Sequence, residues 1–175
     1  MSDPRMVRRL AFVALFQLDA RGELTDEELV AAVANSEDPS IDANRIAKGV
    51  QSEAFELARA AYADRKRCDD VMKNVSPEWP AYRQAAVDRA LLRLAHFEIY
   101  SGRASAALAI DSAVELAKEF STEKSPGFIN ALLDAAGKRI ASKKSKKPVS
   151  DATTADASPD TTADVTGETA AEEPS

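Results

Sequence analysis

The sequence predicts an all-α protein of about seven helices, and three observations support that fold class. Ala, Leu, Glu, Lys and Arg, which are strong helix formers, dominate roughly the first 140 positions. No run of Val, Ile, Thr or Tyr is typical of a β-strand. Apolar residues recur at i, i+3, i+4 and i+7 within segments that Gly, Pro and polar residues separate. The hydrophobic fraction of 45% is large enough for these helices to enclose a core.

Four helices are expected in the N-terminal half. The first runs from about Pro4 to Ala20, because Asp3 suits the N-cap, proline suits the first helical position and Gly22 ends the helix. The second begins after Thr25, since Thr25 and Glu28 have the spacing of a capping box. After a loop at 35–40, the third and fourth helices are expected over about 41–62 and 65–75.

Three helices are expected in the C-terminal half. The segment from about Tyr82 to Tyr100 is the most apolar of the chain and should be the central helix. It follows a break in which Trp79 lies between two prolines and is expected to be a packing anchor. The next helix covers about Ala106 to Phe120. The last begins at Ser125, a good N-cap, with Pro126 at the first helical position.

The end of the chain differs from the rest in composition. Residues 142–175 are mostly small and polar, so burial cannot offset the entropy of ordering them, and a disordered tail is expected there. A single domain is therefore expected over residues 1–141. The tail has four lysines and then seven acidic residues, +4 and −7, a net −3 that leaves −3 of the chain's −6 for the domain. Such a domain can bind nucleic acid only through a local basic patch.

The sequence lacks the residues and motifs that several functional classes require. One cysteine excludes an internal disulfide, and one histidine gives no imidazole cluster for zinc. No glycine-rich phosphate loop, nucleophile elbow or metal-ligand spacing is present, so neither enzyme activity nor a cofactor is expected. No signal peptide is visible, and no run of about 18 apolar residues could span a bilayer. A cytoplasmic protein without a membrane or DNA partner is expected.

The first helix has two contrasting faces when its residues are placed at about 100° intervals. The inner face carries Val7, Ala11, Ala14 and Leu18, whereas the opposite face carries Arg5, Arg9, Phe12 and Phe16, with Arg8 at its side. Two interpretations fit this pattern. Either a second layer of helices covers the phenylalanines and the arginines are solvated, or the face binds RNA, with arginine on phosphates and rings stacked on unpaired bases. The pattern alone leaves both open.

Four segments carry motifs in a fixed order and spacing. They read RRLAFVALFQ at 8–17, VDRALLRLAHFEI at 87–99, AIDSAVELAK at 109–118 and SPGFINALLD at 125–134. Together they resemble the NusB transcription antitermination family over about residues 5–140. The family patterns are A-L-[YF]-Q after a basic start, V-D-R-A-I-L-R-L-A-x-Y-E-L, A-I-N-E-A-V-E-L-A-K and S-x-x-F-V-N-G-V-L-D. The chain departs from them at Asp111, Ser112 and Ala131.

The resemblance implies a fold of two packed helical subdomains and a function in transcription. It implies binding of single-stranded boxA RNA in nascent ribosomal transcripts, together with the small-subunit ribosomal protein NusE and RNA polymerase, with suppression of termination. An alternative is a protein–protein adaptor of the same fold that has lost boxA binding, because the basic start of the first helix is thinner than in the family.

The resemblance also assigns roles to individual residues. The RNA-contacting set is expected to be Arg5, Arg8, Arg9, Phe16, Arg93, Lys124, Ser125 and Phe128. Asp88 is expected near the NusE surface. Structural alternatives stay open: an ion pair with a neighbouring helix for Arg93, a position at the edge of the core for Phe128, and a solvated or internally paired carboxylate for Asp88. His96, in an apolar helix, is expected to be structural rather than a ligand or a catalyst.

Overall fold

A computed structural model describes residues 3–42 and 45–146, and within them the chain is all-helical, as predicted. It contains no strand in that part. The helices are α1 (Pro4–Arg21), α2 (Asp26–Ala34), α3 (Lys48–Ala63), α4 (Arg65–Val75), α5 (Ala86–Ser101), α6 (Ala106–Phe120) and α7 (Ser125–Lys146), with a 3-10 turn at Ala81–Arg83. The helix α7 continues past residue 141, and the predicted tail from residue 147 onward lies outside the described residues.

The first two helices begin as their sequences predict. The Asp3 carboxylate accepts a hydrogen bond from the Arg5 N–H, with proline in the first turn of α1. Gly22 ends α1 at a φ of 87°, a left-handed value that glycine adopts without strain. Both hydrogen bonds of the capping box between Thr25 and Glu28 are present at the start of α2. These interactions are local in sequence, and for that reason sequence alone locates them.

Two predicted helix starts are wrong. The helix α3 begins at Lys48 rather than near Ile41, because the chain makes two successive turns before it: the Ile41 N–H donates to the Asp38 carbonyl, and the Arg45 N–H donates to the Asp42 carbonyl. The helix α5 begins at Ala86 rather than Tyr82. Gln84 has extended backbone angles, and its side-chain amide donates to the Trp79 carbonyl, so the segment before α5 is a closed loop.

The helices form two packed groups, as the fold class predicts. The helices α1, α2 and α3 pack together, α4 to α7 pack together, and α5 contacts α1 and α3 as well as its own group. Most of the α5 surface is therefore buried. Phe12 of α1 is also buried and packs on Phe120 of α6 at a ring-centroid distance of 5.2 Å. For Phe12 the second-layer interpretation is the one observed. No helix in the described part of the chain has the length and apolarity to cross a membrane.

His96 is enclosed in the core at the middle of α5. Its side chain is 1% exposed, and its ring lies parallel to that of Tyr100 at 6.2 Å. Neither ring nitrogen has a hydrogen-bond partner among the described residues. Burial lowers the pKa of His96, with the nearby Asp64 carboxylate opposing and Arg67 adding to the shift. The ring is consequently neutral in the folded chain.

We expect the His96→Leu variant to lose less stability than the parent chain on mild acidification. Below about pH 6.5, the pKa of an unfolded histidine, the ring gains a proton in the unfolded chain but stays neutral in the folded one, which favours unfolding. The contribution of His96 is complete above that pH and is lost as the pH falls through the lower pKa of the folded state. Urea denaturation at about pH 7.5 and about pH 5.5 gives the change in unfolding free energy with pH for each protein. Any packing effect of the substitution is the same at both pH values and so does not enter that change. Equal pH dependence in the two proteins would contradict the prediction.

Candidate nucleic-acid interface

The predicted site residues fall into two neighbouring groups and one separate position. One group lies on α1 and the other at the start of α7, and the C-terminal end of α6 lies between them. Phe120 packs against the α1 group, with the Arg9 guanidinium 5.1 Å from its ring centroid. The next residue, Ser121, donates to Asp88 at 2.6 Å beside the α7 group. Arg93 lies elsewhere, in a cluster of its own.

Arg8 is buried and ion-paired rather than exposed. Its Nε donates to both carboxylate oxygens of Glu98 on α5, at 2.9 and 3.1 Å, and both residues are less than 10% exposed. Burial raises the pKa of Glu98, whereas the charge and hydrogen bond of Arg8 lower it. The guanidinium therefore fixes α1 against α5 from beneath the surface.

Arg9 is half-buried and shared between two carboxylates. It donates to Asp38 at 2.5 and 2.9 Å and to Glu119 of α6 at 2.5 Å. Burial raises the pKa of Asp38, but the hydrogen bonds from Arg9 and from the Ser40 N–H outweigh it and lower the pKa overall. Asp38 is buried, whereas Glu119 is largely exposed. The Glu119 contact is thus the one that a solvent-borne anion would displace.

The remaining α1 residues of the predicted site are accessible. Arg5 is exposed and forms no ion pair within the described part of the chain. Phe16 is half-buried, with its ring 6.5 Å from that of Phe12 and tilted by 53°. One exposed cation and one partly exposed ring therefore remain on this face.

The start of α7 is organised around a buried carboxylate. Asp88, in the first turn of α5, accepts from Ser121 Oγ at 2.6 Å and from Ser125 Oγ at 2.9 Å. Both Asp88 and Ser125 are buried. This is the internally paired arrangement that the sequence left open, and it ties α5 to the junction between α6 and α7. Beside it, Lys124 is exposed and Phe128 is half-buried.

Arg93 lies in a separate cluster that joins three helices. Its Nη1 donates to Asp19 of α1 at 2.6 Å, while Nε and Nη2 donate to Asp69 of α4 at 2.9 and 2.7 Å. Burial raises the pKa of Asp19, and the Arg93 charge opposes that shift. The Arg93 residue is only 9% exposed. This is the ion pair with neighbouring helices that the sequence left open.

Sequence reasoning missed part of this surface. Trp79, expected to be a packing anchor, is 45% exposed, and its ring meets that of Phe128 edge-on at 6.3 Å. Arg83 lies over the Trp79 ring at 5.1 Å. Tyr82, between them in sequence, is 83% exposed. The signal available in the sequence was two aromatic residues, Trp79 and Tyr82, followed directly by Arg83, in a segment that prolines at 77 and 80 keep out of an α-helix. Among the described residues, no group of three His, Cys, Asp or Glu side chains is placed to hold a metal ion.

Fold and surface together define a small all-helical protein with a mixed basic and aromatic face across α1, α6 and α7. A family model described as the NusB family matches residues 5–138. A transcription antitermination protein NusB from Symbiobacterium thermophilum is 37% identical over 130 residues, covering 74% of this chain and 85% of that protein. This chain belongs to the NusB family.

Solved structures agree with that assignment. The structure of T. maritima NusB is 31% identical and superposes with a TM-score of 0.65, covering 82% of this chain and 97% of that one. A chain from the crystal structure of the antitermination factors NusB and NusE in complex with double-stranded RNA superposes with a TM-score of 0.64 at 24% identity. The superposition covers 77% of this chain and 96% of that one. At 24% identity it shows that the two chains share a fold.

The buried pair of Arg8 and Glu98 leads to a stability prediction. Arg8→Met leaves the Glu98 carboxylate buried without a partner and should cost about 3–5 kcal/mol of unfolding free energy. Adding Glu98→Leu removes the orphaned charge and should recover most of that loss, because an apolar pair of similar volume fits the same space. Urea denaturation of both single variants and the double variant measures the coupling. Additive losses in the double variant would show that the two charges are not coupled.

Proposed function

We propose that this protein is a transcription antitermination factor that binds single-stranded boxA-type RNA of nascent ribosomal transcripts. It acts in the cytoplasm as a non-enzymatic adaptor, together with NusE and RNA polymerase, and suppresses termination. The observation that carries the proposal is the match to the NusB family over residues 5–138, with relatives named transcription antitermination protein NusB. The accessible basic and aromatic residues beside α6 supply a matching surface.

Five residues of the predicted set contact RNA directly. Arg5 and Lys124 bind phosphates, because both are exposed cations that form no salt bridge in the described chain. Phe16 and Phe128 offer partly exposed rings on which unpaired bases stack. Arg9 contributes the part of its guanidinium that Glu119 covers in the free protein.

The other three residues of the set, together with Asp88, act from beneath the surface. Arg8 holds α1 against α5, and Arg93 holds α1 and α4 against α5. Ser125 and Asp88 fix the junction from which Lys124 and Phe128 project. A surface that keeps one geometry loses less entropy when RNA binds than a mobile one does. The effect of these four residues on RNA binding is therefore one of positioning.

The proposal predicts that Arg5→Ala combined with Lys124→Ala weakens RNA binding by about 10-fold or more, because two phosphate contacts are lost. The slope of log affinity against log salt should fall by about 1.4, or about 0.7 for each phosphate contact to a single strand. Fluorescence anisotropy with labelled boxA-type RNA, with and without NusE, across a salt series measures both quantities.

The matched control for this pair is Arg103→Ala combined with Lys138→Ala, which removes the same charge. Arg103 follows the C-terminal end of α5 and pairs with Glu56. Lys138 lies about 15 Å from Phe128 along α7 and pairs with Asp134. Control binding close to that of the parent chain is expected. If the parent chain binds NusE but no RNA at any salt concentration, it is instead an adaptor of the same fold without boxA binding.

A second variant should strengthen binding. Glu119→Gln removes the exposed carboxylate that competes with phosphate for Arg9, so RNA affinity at low salt should rise by about 2- to 5-fold. Glu56→Gln makes the same change in net charge next to Arg103 and serves as the control. Anisotropy at about 50 mM salt compares the two. An equal gain in both variants would assign the effect to net charge rather than to release of Arg9.

A further inference from the structure

The proposed function uses only one wall of a groove that lies next to the predicted site. The groove lies between the 3-10 turn and the start of α7 and has a volume of about 410 Å³. Its lining includes Trp79, Arg83, Gln84, Lys124 and Phe128. Only Lys124 and Phe128 of these belong to the surface predicted from the sequence.

The Trp79 backbone is held by two hydrogen bonds, although nearly half of the residue faces solvent. Its backbone N–H donates to the Ser76 carbonyl at 3.1 Å, and its carbonyl accepts from the Gln84 amide at 3.0 Å. Gln84 itself is only 7% exposed, so a buried polar group is committed to fixing this loop. The Trp79 ring meets Phe128 at an interplanar angle of 72°, which gives the groove two aromatic walls in different orientations. A large exposed ring on a fixed backbone is a preorganised contact surface.

The charges around the groove favour an anion. Arg83 and Lys124 are exposed, and neither forms an ion pair with a carboxylate of the described residues. Arg83 is positioned over the Trp79 ring and donates to the Glu78 carbonyl at 3.1 Å. One lining residue, Asp88, is a carboxylate, but it is buried and accepts hydrogen bonds from Ser121 and Ser125. Two free cations thus flank two rings.

We infer that this groove binds an unpaired nucleotide of single-stranded RNA, with its base stacked on Trp79 and its flanking phosphates on Arg83 and Lys124. The inference rests on the proposed function and extends its RNA surface beyond Phe128 to the loop at 79–83. Alternating rings and cations match the alternating bases and phosphates of a single strand, and this is how sequence-tolerant single-strand sites are built. An apolar peptide would use the rings but would leave both cations without counter-charges.

Trp79 is the only tryptophan of the chain, so its fluorescence reports on the groove directly. We expect single-stranded boxA-type RNA to quench the fluorescence of the full-length protein by about half or more, with the midpoint that anisotropy gives for the same RNA. Trp79→Ala should weaken RNA binding by about 5- to 100-fold, the range of one lost base stack, whereas Trp79→Phe keeps a ring and should lose far less.

Charge variants give a second readout that leaves the aromatic walls in place. Arg83→Gln should weaken binding by about 3-fold or more and lower the salt slope by about 0.7, the loss of one phosphate contact. Arg103→Gln is the matched control at the opposite end of α5, about 24 Å away along that helix. Anisotropy is measured with and without NusE, and circular dichroism checks that each variant is folded. If Trp79→Ala does not fold, fluorescence of the parent chain and the Arg83→Gln variant decide the question.

Three results would overturn the inference. In the first, anisotropy shows RNA binding, but Trp79 fluorescence does not change and Arg83→Gln binds RNA as tightly as the parent chain. That result would leave the proposed function standing but exclude this groove. Absence of RNA binding by the parent chain, with and without NusE, would remove the proposed function and the inference together. Quenching by NusE without RNA, abolished in Arg83→Gln, would make the groove a protein-binding surface.

Discussion

The charged side chains of α5 impose the constraint on which the rest of the structure depends. This helix is buried on most sides, yet it carries Asp88, Arg93 and Glu98 into the interior. A buried charge is tolerated only when it is paired and hydrogen-bonded. Each of the three finds its partner on a different part of the chain: Asp88 at the α6–α7 junction, Arg93 on α1 and α4, and Glu98 on α1. Any shift of α5 along its axis would break all three contacts, so these pairs set the register of both subdomains.

The same constraint separates arginines that position the surface from arginines that form it. In sequence, Arg5, Arg8 and Arg9 are three similar cations on one helix. In the structure they differ in exposure, because Glu98 draws Arg8 inward, Asp38 holds Arg9 halfway and Arg5 remains in solvent. Separating the buried Arg8 and Glu98 would leave each of them as an uncompensated charge, which holds α1 in place against α5. The rigid α1 frame that results is what presents Arg5 and Phe16 to a ligand.

Sequence patterns predicted the features that depend on neighbours in sequence. The cap at Asp3 and the capping box at Thr25 involve residues two or three positions apart, and both are present. The all-helical class follows from periodicity over whole segments. The family motifs supplied the two-subdomain arrangement, which periodicity alone does not contain.

Features that depend on distant residues were beyond the sequence patterns. Arg8 and Glu98 are 90 positions apart, so the α1 sequence cannot show which of its arginines is buried. The burial of Phe12 likewise depends on Phe120 of α6. The start of α3 was misplaced because a further turn follows the predicted loop: the Asp42 carbonyl accepts from the Arg45 N–H, in a stretch that periodicity treats as helix. Trp79 was expected to be a packing anchor from its place between two prolines, but nearly half of it faces solvent on a loop that Gln84 holds.

The distribution of carboxylates determines how this acidic protein would hold an anionic ligand. A chain of net charge −6 cannot attract RNA by its overall field, so affinity must come from cations that local packing leaves unpaired. In the described chain those include Arg5, Arg83 and Lys124, while Arg9 is only partly available because Glu119 competes for it. Such a surface makes few phosphate contacts, each strongly screened by salt, and leaves a larger share of the binding free energy to stacking on fixed rings. The orientation of Trp79, Phe16 and Phe128 then matters more than the number of basic residues, and the buried pairs of α5 are what fix the helices that carry those rings.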